Sequence, residues 1–199
     1  MPHLILLGDS IFDNGVYVDG GPDVCSQLRD LLPATWRASL LAVDGAVCRD
    51  VVSQLAHLPA DASQLVLSVG GNDALMRRDV LAASVQSSVE AILLMADAMD
   101  AFEHDYRQMM EALLATGLPL TVCTIYNANF DAPDYQRCVR LAVAVFNDVI
   151  LRVAAEHRLP VIDLRAICNL PGDYANPIEP SVAGGEKISR AILDKLALH

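Results

Sequence analysis

The sequence predicts an α/β protein, a mostly parallel five-stranded sheet between two layers of helices. Three observations carry that prediction. Short apolar runs alternate with stretches of helical periodicity along the chain, as in a parallel sheet with crossover helices. The runs are continuous, as in Leu4-Ile5-Leu6-Leu7 and Leu65-Val66-Leu67, which suits strands buried on both faces. The hydrophobic fraction of 53% and the mean hydropathy of +0.35 fit a sheet covered on both sides. Right-handed crossovers then make a three-layer sandwich the economical solution, with strand order 2-1-3-4-5.

The first strand, Leu4 to Leu7, runs into Gly8-Asp9-Ser10 and stops in a turn. A Gly-rich loop from Val16 to Pro22 leads to a helix opened by Pro22 and Asp23 and reaching Leu32, where Pro33 ends it. Trp36 to Val43 reads as the second strand, finishing in Asp44-Gly45-Ala46, and a helix from Arg49 to Leu58 returns the chain. Leu65 to Val69 is the third strand and ends in Gly70-Gly71-Asn72-Asp73. A long helical region, Asp79 to Ala115, divides into two pieces. Phe102, Tyr106, Met109, Met110, Leu113 and Leu114 recur at helical spacing in its second half. Leu120 to Ile125 is the fourth strand, Asp134 to His157 a helix, and Pro160 to Leu164 the fifth strand. A Pro-rich loop precedes the last helix, Gly185 to Leu198.

The 199 residues suffice for one domain with a substantial core, and residues 1–199 read as a single domain without repeat or linker. A formal charge of -11 without a basic patch argues against nucleic acid and anionic membranes as partners. No apolar stretch approaches the roughly 20 residues of a membrane helix. The apolar start lacks the basic flank of a leader peptide. The five cysteines are scattered, odd in number and without metal-ligand spacing, so buried thiols in a reducing cytoplasm are expected, with no metal and no cofactor. Oligomeric state is not written in the sequence.

Three strand ends are small or polar and sit where an open α/β sheet binds ligands, beyond the carboxyl ends of its strands. Acyl transfer needs a nucleophile and donors aimed at the developing oxyanion. Ser10 offers a hydroxyl and its own N–H, Gly45 a second N–H and Asn72 a side-chain amide. The plainer account is that Gly, Asn, Asp and Ser serve turn and cap chemistry alone.

Gly8-Asp9-Ser10, Gly45 and Gly70-Gly71-Asn72-Asp73 resemble three successive blocks of the SGNH/GDSL hydrolases. The resemblance implies a flavodoxin-like sandwich and a small ester or acyl substrate. It also implies Ser10 as nucleophile, an oxyanion hole of Ser10 N–H, Gly45 N–H and Asn72, and no metal. The chain departs from the family in its last block, Asp-x-x-His-Pro. The matching segment is Asn176-Pro177-Ile178-Glu179-Pro180, with Asn176 in place of the aspartate and Glu179 in place of the histidine. None of the five histidines is well placed to substitute: His3 begins the first strand, His57, His104 and His157 fall on helices, and His199 is terminal.

Glu179 is then the candidate base, although an ordinary glutamate with a pKa of about 4.3 is a weak one at neutral pH. Burial or a second carboxylate would strengthen it. Asp9, Asp13, Asp73 and Asp173 are the candidate neighbours, with Asp173 closest in sequence to the Asn176 loop. The competing account makes Glu179 a surface or ion-paired residue in a site that has lost its chemistry. Tyr126, Asn127 and Phe130 are candidate pocket walls, Arg77-Arg78 a candidate anion contact or simply a solvated helix start, and Cys48 a buried thiol. The leading expectation is a serine esterase or acylhydrolase; a binding protein without turnover and an acyltransferase are the alternatives.

Overall fold

A computed structural model describes residues 1–196. The strands β1 (His3–Gly8), β2 (Arg37–Leu40), β3 (Gln64–Ser68), β4 (Leu120–Cys123) and β5 (Val161–Ile162) form one parallel sheet in the order β2-β1-β3-β4-β5. That is the predicted order. The helices are α1 (Val24–Leu31), α2 (Cys48–Leu55), α3 (Gly71–Met76), α4 (Ser88–Ala115), α5 (Pro133–Glu156), α6 (Leu164–Ile167) and α7 (Val182–Lys195).

The continuous apolar character of β1 has a simple cause. Ile5 and Leu7, with Leu65 and Leu67 of β3, pack against Val51 of α2, Tyr106 and Met109 of α4, and Phe146 and Ile150 of α5. Leu4 and Leu6, with Val66 of β3, face the other way, against Val24 and Leu28 of α1 and Ile188 and Ile192 of α7. Each buried side chain of this size contributes roughly 1.5–3 kcal/mol. Both faces are therefore paid for by helices, and the result is a three-layer α/β/α sandwich.

Several elements differ from expectation, among them β5, which stops at Ile162 while Leu164 opens α6. β2 stops at Leu40 because Leu41 N–H and Ala42 N–H both donate to Leu6 O, each at 2.9 Å, which breaks the even ladder. The region expected to be helical from Asp79 is a 3₁₀ turn at Arg78–Ala82, and α4 begins only at Ser88, where the Ser87 hydroxyl accepts the Glu90 N–H. The Gly70-Gly71-Asn72-Asp73 stretch, read as the small and polar end of the third strand, opens the short helix α3. The predicted helix end at Leu198 and the terminal His199 lie outside the described residues. No described helix is long and apolar enough to cross a membrane.

Candidate active site

The site is built on the turn that ends β1. Gly8 has φ +122°, and a Cβ there would fall 1.7 Å from Ser68 O, so no other residue fits between β1 and β3 at this point. Gln54 of α2 holds the same residue from above: Gly8 N–H donates to Gln54 Oε1 (2.9 Å) and Gln54 Nε2 donates to Gly8 O (2.7 Å). Phe12 N–H and Asp13 N–H then donate to Asp9 O, closing a tight turn that carries Ser10 at the carboxyl edge of the sheet.

Ser10 meets Glu179 there. The Ser10 hydroxyl donates to Glu179 Oε1 at 3.1 Å, and the two residues are 6% and 5% exposed. Glu179 Oε2 is buried with no hydrogen-bond partner among the described residues. Burial pushes the Glu179 carboxyl up to about 7, the Asp44 charge adds to the rise, and the Ser10 hydrogen bond opposes it.

The loop that presents Glu179 is tied from several sides. Asn176 Oδ1 accepts the N–H groups of Ile178 (2.9 Å) and Glu179 (3.0 Å). The Tyr126 hydroxyl donates to Ile178 O, Asn129 N–H to Pro177 O, and Asn14 Nδ2 to Pro180 O. Asn176 and Tyr126 therefore shape the loop through its backbone.

The other predicted residues divide. Asp9, 3% exposed, lines the same cavity as Ser10 and Glu179; burial raises its carboxyl to about 8, helped by the charges of Glu179 and Asp73 and opposed by the Ile11 N–H. Asn72 also lines that cavity, and its Nδ2 donates to Ala46 O at 3.0 Å, which leaves one amide hydrogen unused. Gly45, at φ +80°, lies in an adjoining groove that shares Asn72, Leu75 and Arg78 with the cavity. The N–H groups of Ser10 and Gly45 donate to no acceptor among the described residues.

Asp73 turns away to accept the Cys48 N–H, joining α3 to the start of α2. Asp173 does not partner Glu179. Its carboxylate binds Lys187 Nζ of α7 and accepts the N–H groups of Asn169 and Leu170, and this pairing draws it away from the cavity despite its closeness in sequence. Asp13 accepts the Asp44 N–H instead.

The cavity runs from Ser10 and Glu179 between α3, α4 and α5. Its walls include Val69, Leu75, Met95, Ala98, Phe130, Tyr135, Val143 and Phe146, and Arg77 and Arg78 also line it. The walls from α4 and α5 escape sequence reading because an apolar residue facing a cavity looks like one facing the core. No histidine among the described residues lines it. His3 is buried at the opposite sheet edge between Asp61 and Ser39, and His104 contacts Gln108 on α4. Among the described residues no group of three His, Cys, Asp or Glu side chains is placed to hold a metal ion.

A hydroxyl bonded to a buried, easily protonated carboxylate, beside free N–H groups and an apolar cavity, can support acyl chemistry. A family model described as GDSL-like lipase/acylhydrolase matches residues 6–186. Among solved structures, an extracellular lipase from Streptomyces rimosus is 17% identical with a TM-score of 0.73, over 98% of this chain and 100% of the other. A member of the lipolytic G-D-S-L family from Veillonella parvula is 15% identical with a TM-score of 0.72, over the whole of both chains at 100% each. A lipase from a goat rumen metagenome is 16% identical with a TM-score of 0.75, over 98% and 97%. At such identities the likeness establishes the common fold. Among curated protein sequences none matches this chain. The family match spans most of the chain and includes the strand-end blocks around Ser10, Gly45 and Asn72 as well as the Glu179 loop, so the chain belongs to the GDSL-like lipase/acylhydrolase family.

Proposed function

We propose that the protein is a serine acylhydrolase in which Glu179 takes the part of the general base. The observation that carries this reading is the buried hydrogen bond from the Ser10 hydroxyl to Glu179 Oε1, 3.1 Å long. As Ser10 Oγ attacks an ester carbonyl, its proton passes to Glu179. The oxygen that becomes negative is met by the N–H groups of Ser10 and Gly45 and by the second amide hydrogen of Asn72. Collapse breaks the ester bond, Glu179 returns the proton to the departing alcohol, and Ser10 keeps the acyl group. Water then attacks this acyl-enzyme, gives its proton to Glu179, and releases the acid as Ser10 regains its hydrogen.

A carboxyl raised to about 7 is a far better base than an ordinary glutamate. Asp9 supports this role. With its carboxyl at about 8 it is mostly neutral at pH 7, so it adds little negative charge against the ionised Glu179. The test is labelling with a fluorophosphonate followed by peptide mass spectrometry. Ser10 should carry the label, Ser10→Ala should abolish it, and Glu179→Gln should slow it at pH 8 by about 10²-fold or more. Labelling at another residue, or none at any pH, overturns the reading and leaves a binding protein.

A further inference from the structure

The cavity combines carboxyls, guanidinium groups and apolar walls. Asp9 and Glu179 line it beside Ser10, and Arg77 and Arg78 line it as well. Its apolar lining includes Val69, Leu75, Met95, Ala98, Val143 and Phe146. Arg49, Arg107, Arg152 and Arg165 each grip a carboxylate. Arg77 and Arg78, like Arg29, Arg140 and Arg158, grip none among the described residues, but they are the arginines that line this cavity, and Arg77 is partly buried. Two unpaired guanidinium groups at the edge of an apolar cavity are matched by an anion that arrives with the ligand.

Their position follows from α3. Asn72 stands in its first turn and Arg77 caps its end, so the helix sets them about 8 Å apart along its axis. An anion close to Ser10 would instead face Glu179. The acyl part of an ester stays bound through both half-reactions, so the walls and the two arginines serve that part.

We propose that the substrate is an ester whose acyl chain is apolar along its length and ends in an anionic group, a carboxylate or a phosphate, held by Arg77 and Arg78. This assignment rests on the serine acylhydrolase reading and adds the substrate class to it.

The experiment compares three 4-nitrophenyl esters of equal chain length, based on octanoate, whose acyl chains end in a methyl, a carboxylate or a phosphate group. At low ionic strength kcat/KM should favour at least one charged ester over the methyl-ended one on the order of tenfold. Which charged ester leads identifies the anion. The preference should shrink as salt is added and should fall close to unity in the Arg77→Gln/Arg78→Gln double variant. Equal or lower kcat/KM for both charged esters, or a preference that survives the double substitution, overturns the proposal.

A second arm needs no turnover. Calorimetry on Ser10→Ala protein compares octanamide with the corresponding amides ending in carboxylate or phosphate, with and without the arginine substitutions. If the parent hydrolyses none of the esters, the serine reading has failed, and this arm still decides the arginine assignment. Tighter binding of a charged amide that depends on the arginines upholds it, and indifference to charge refutes it.

Discussion

Glu179→Gln should make the protein more stable, and the gain should grow with pH. The carboxyl moves from its ordinary 4.5 to about 7 on folding because burial disfavours its charged form. Between those values the folded protein keeps a proton that the unfolded chain has lost. Stability linked to that proton is full below about 4.5, declines as pH rises, and is gone above about 7. A displacement of that size corresponds to about 3 kcal/mol. Glutamine has the same shape, its Oε1 can still accept the Ser10 hydroxyl, and it never ionises. The difference in unfolding free energy between Glu179→Gln and the parent should therefore widen by about 2–3 kcal/mol from pH 4 to pH 8. Urea unfolding at several pH values, followed by circular dichroism, measures it. A difference that stays flat with pH, or narrows, would refute the argument that burial holds Glu179 in a costly ionised state.

Asn72→Ala should lower kcat by about 10²–10³ with little change in KM, as steady-state ester hydrolysis would reveal, because the lost donor acts on the developing oxyanion. An unchanged kcat in the folded variant removes Asn72 from the mechanism. The parent's kcat/KM should rise about tenfold per pH unit below about 7 and level off above it, since the base must be ionised to accept the Ser10 proton; a flat pH–rate profile through this range speaks against Glu179. Gly8→Ala should destabilise by more than about 3 kcal/mol or fail to accumulate, because the added Cβ meets Ser68 O at a backbone angle that alanine rarely adopts. Thermal melting near wild type would show that β1 and β3 can separate at that point.

Much of this architecture was legible because burial on two faces leaves a coarse mark on sequence. Leu4 to Leu7 and Leu65 to Leu67 could hardly be anything but central strands, and their flanking helices show regular apolar faces. The candidate site was legible where a strand end carries turn chemistry, as in Gly8-Asp9-Ser10, and where the resemblance to the SGNH/GDSL hydrolases marks a segment, as in Asn176-Pro177-Ile178-Glu179-Pro180. Side-chain direction was not. Asp173 lies three residues before Asn176, yet Lys187 of α7 takes its charge. Gly70-Gly71-Asn72-Asp73 did not look like a helix start because glycine disfavours helix interiors, but here Gly70 at φ +115° caps α3 and Gly71 begins it. Gln54 would pass for a solvent-facing residue of α2, since nothing local announces that a backbone waits above it.

Gln54 has a counterpart in Asn147 of α5, which is fully buried. Its Oδ1 accepts the Ile125 N–H at 2.8 Å, and its Nδ2 donates to Ile125 O at 2.7 Å. Each amide offers one residue what an adjacent strand would offer, an acceptor for its N–H and a donor for its C=O. The helix layer thereby supplies single missing rungs to a ladder whose rails have begun to part. Gly8 O also accepts the Val43 N–H at 3.0 Å, so without the two amides it is the Gly8 N–H and both backbone groups of Ile125 that would be stranded in an apolar surrounding, at about 1–3 kcal/mol for each. With them the rails can diverge and leave a crevice while the chain at Gly8 stays fixed. The loops around that crevice are then free to change length and composition without moving the turn that bears the hydroxyl.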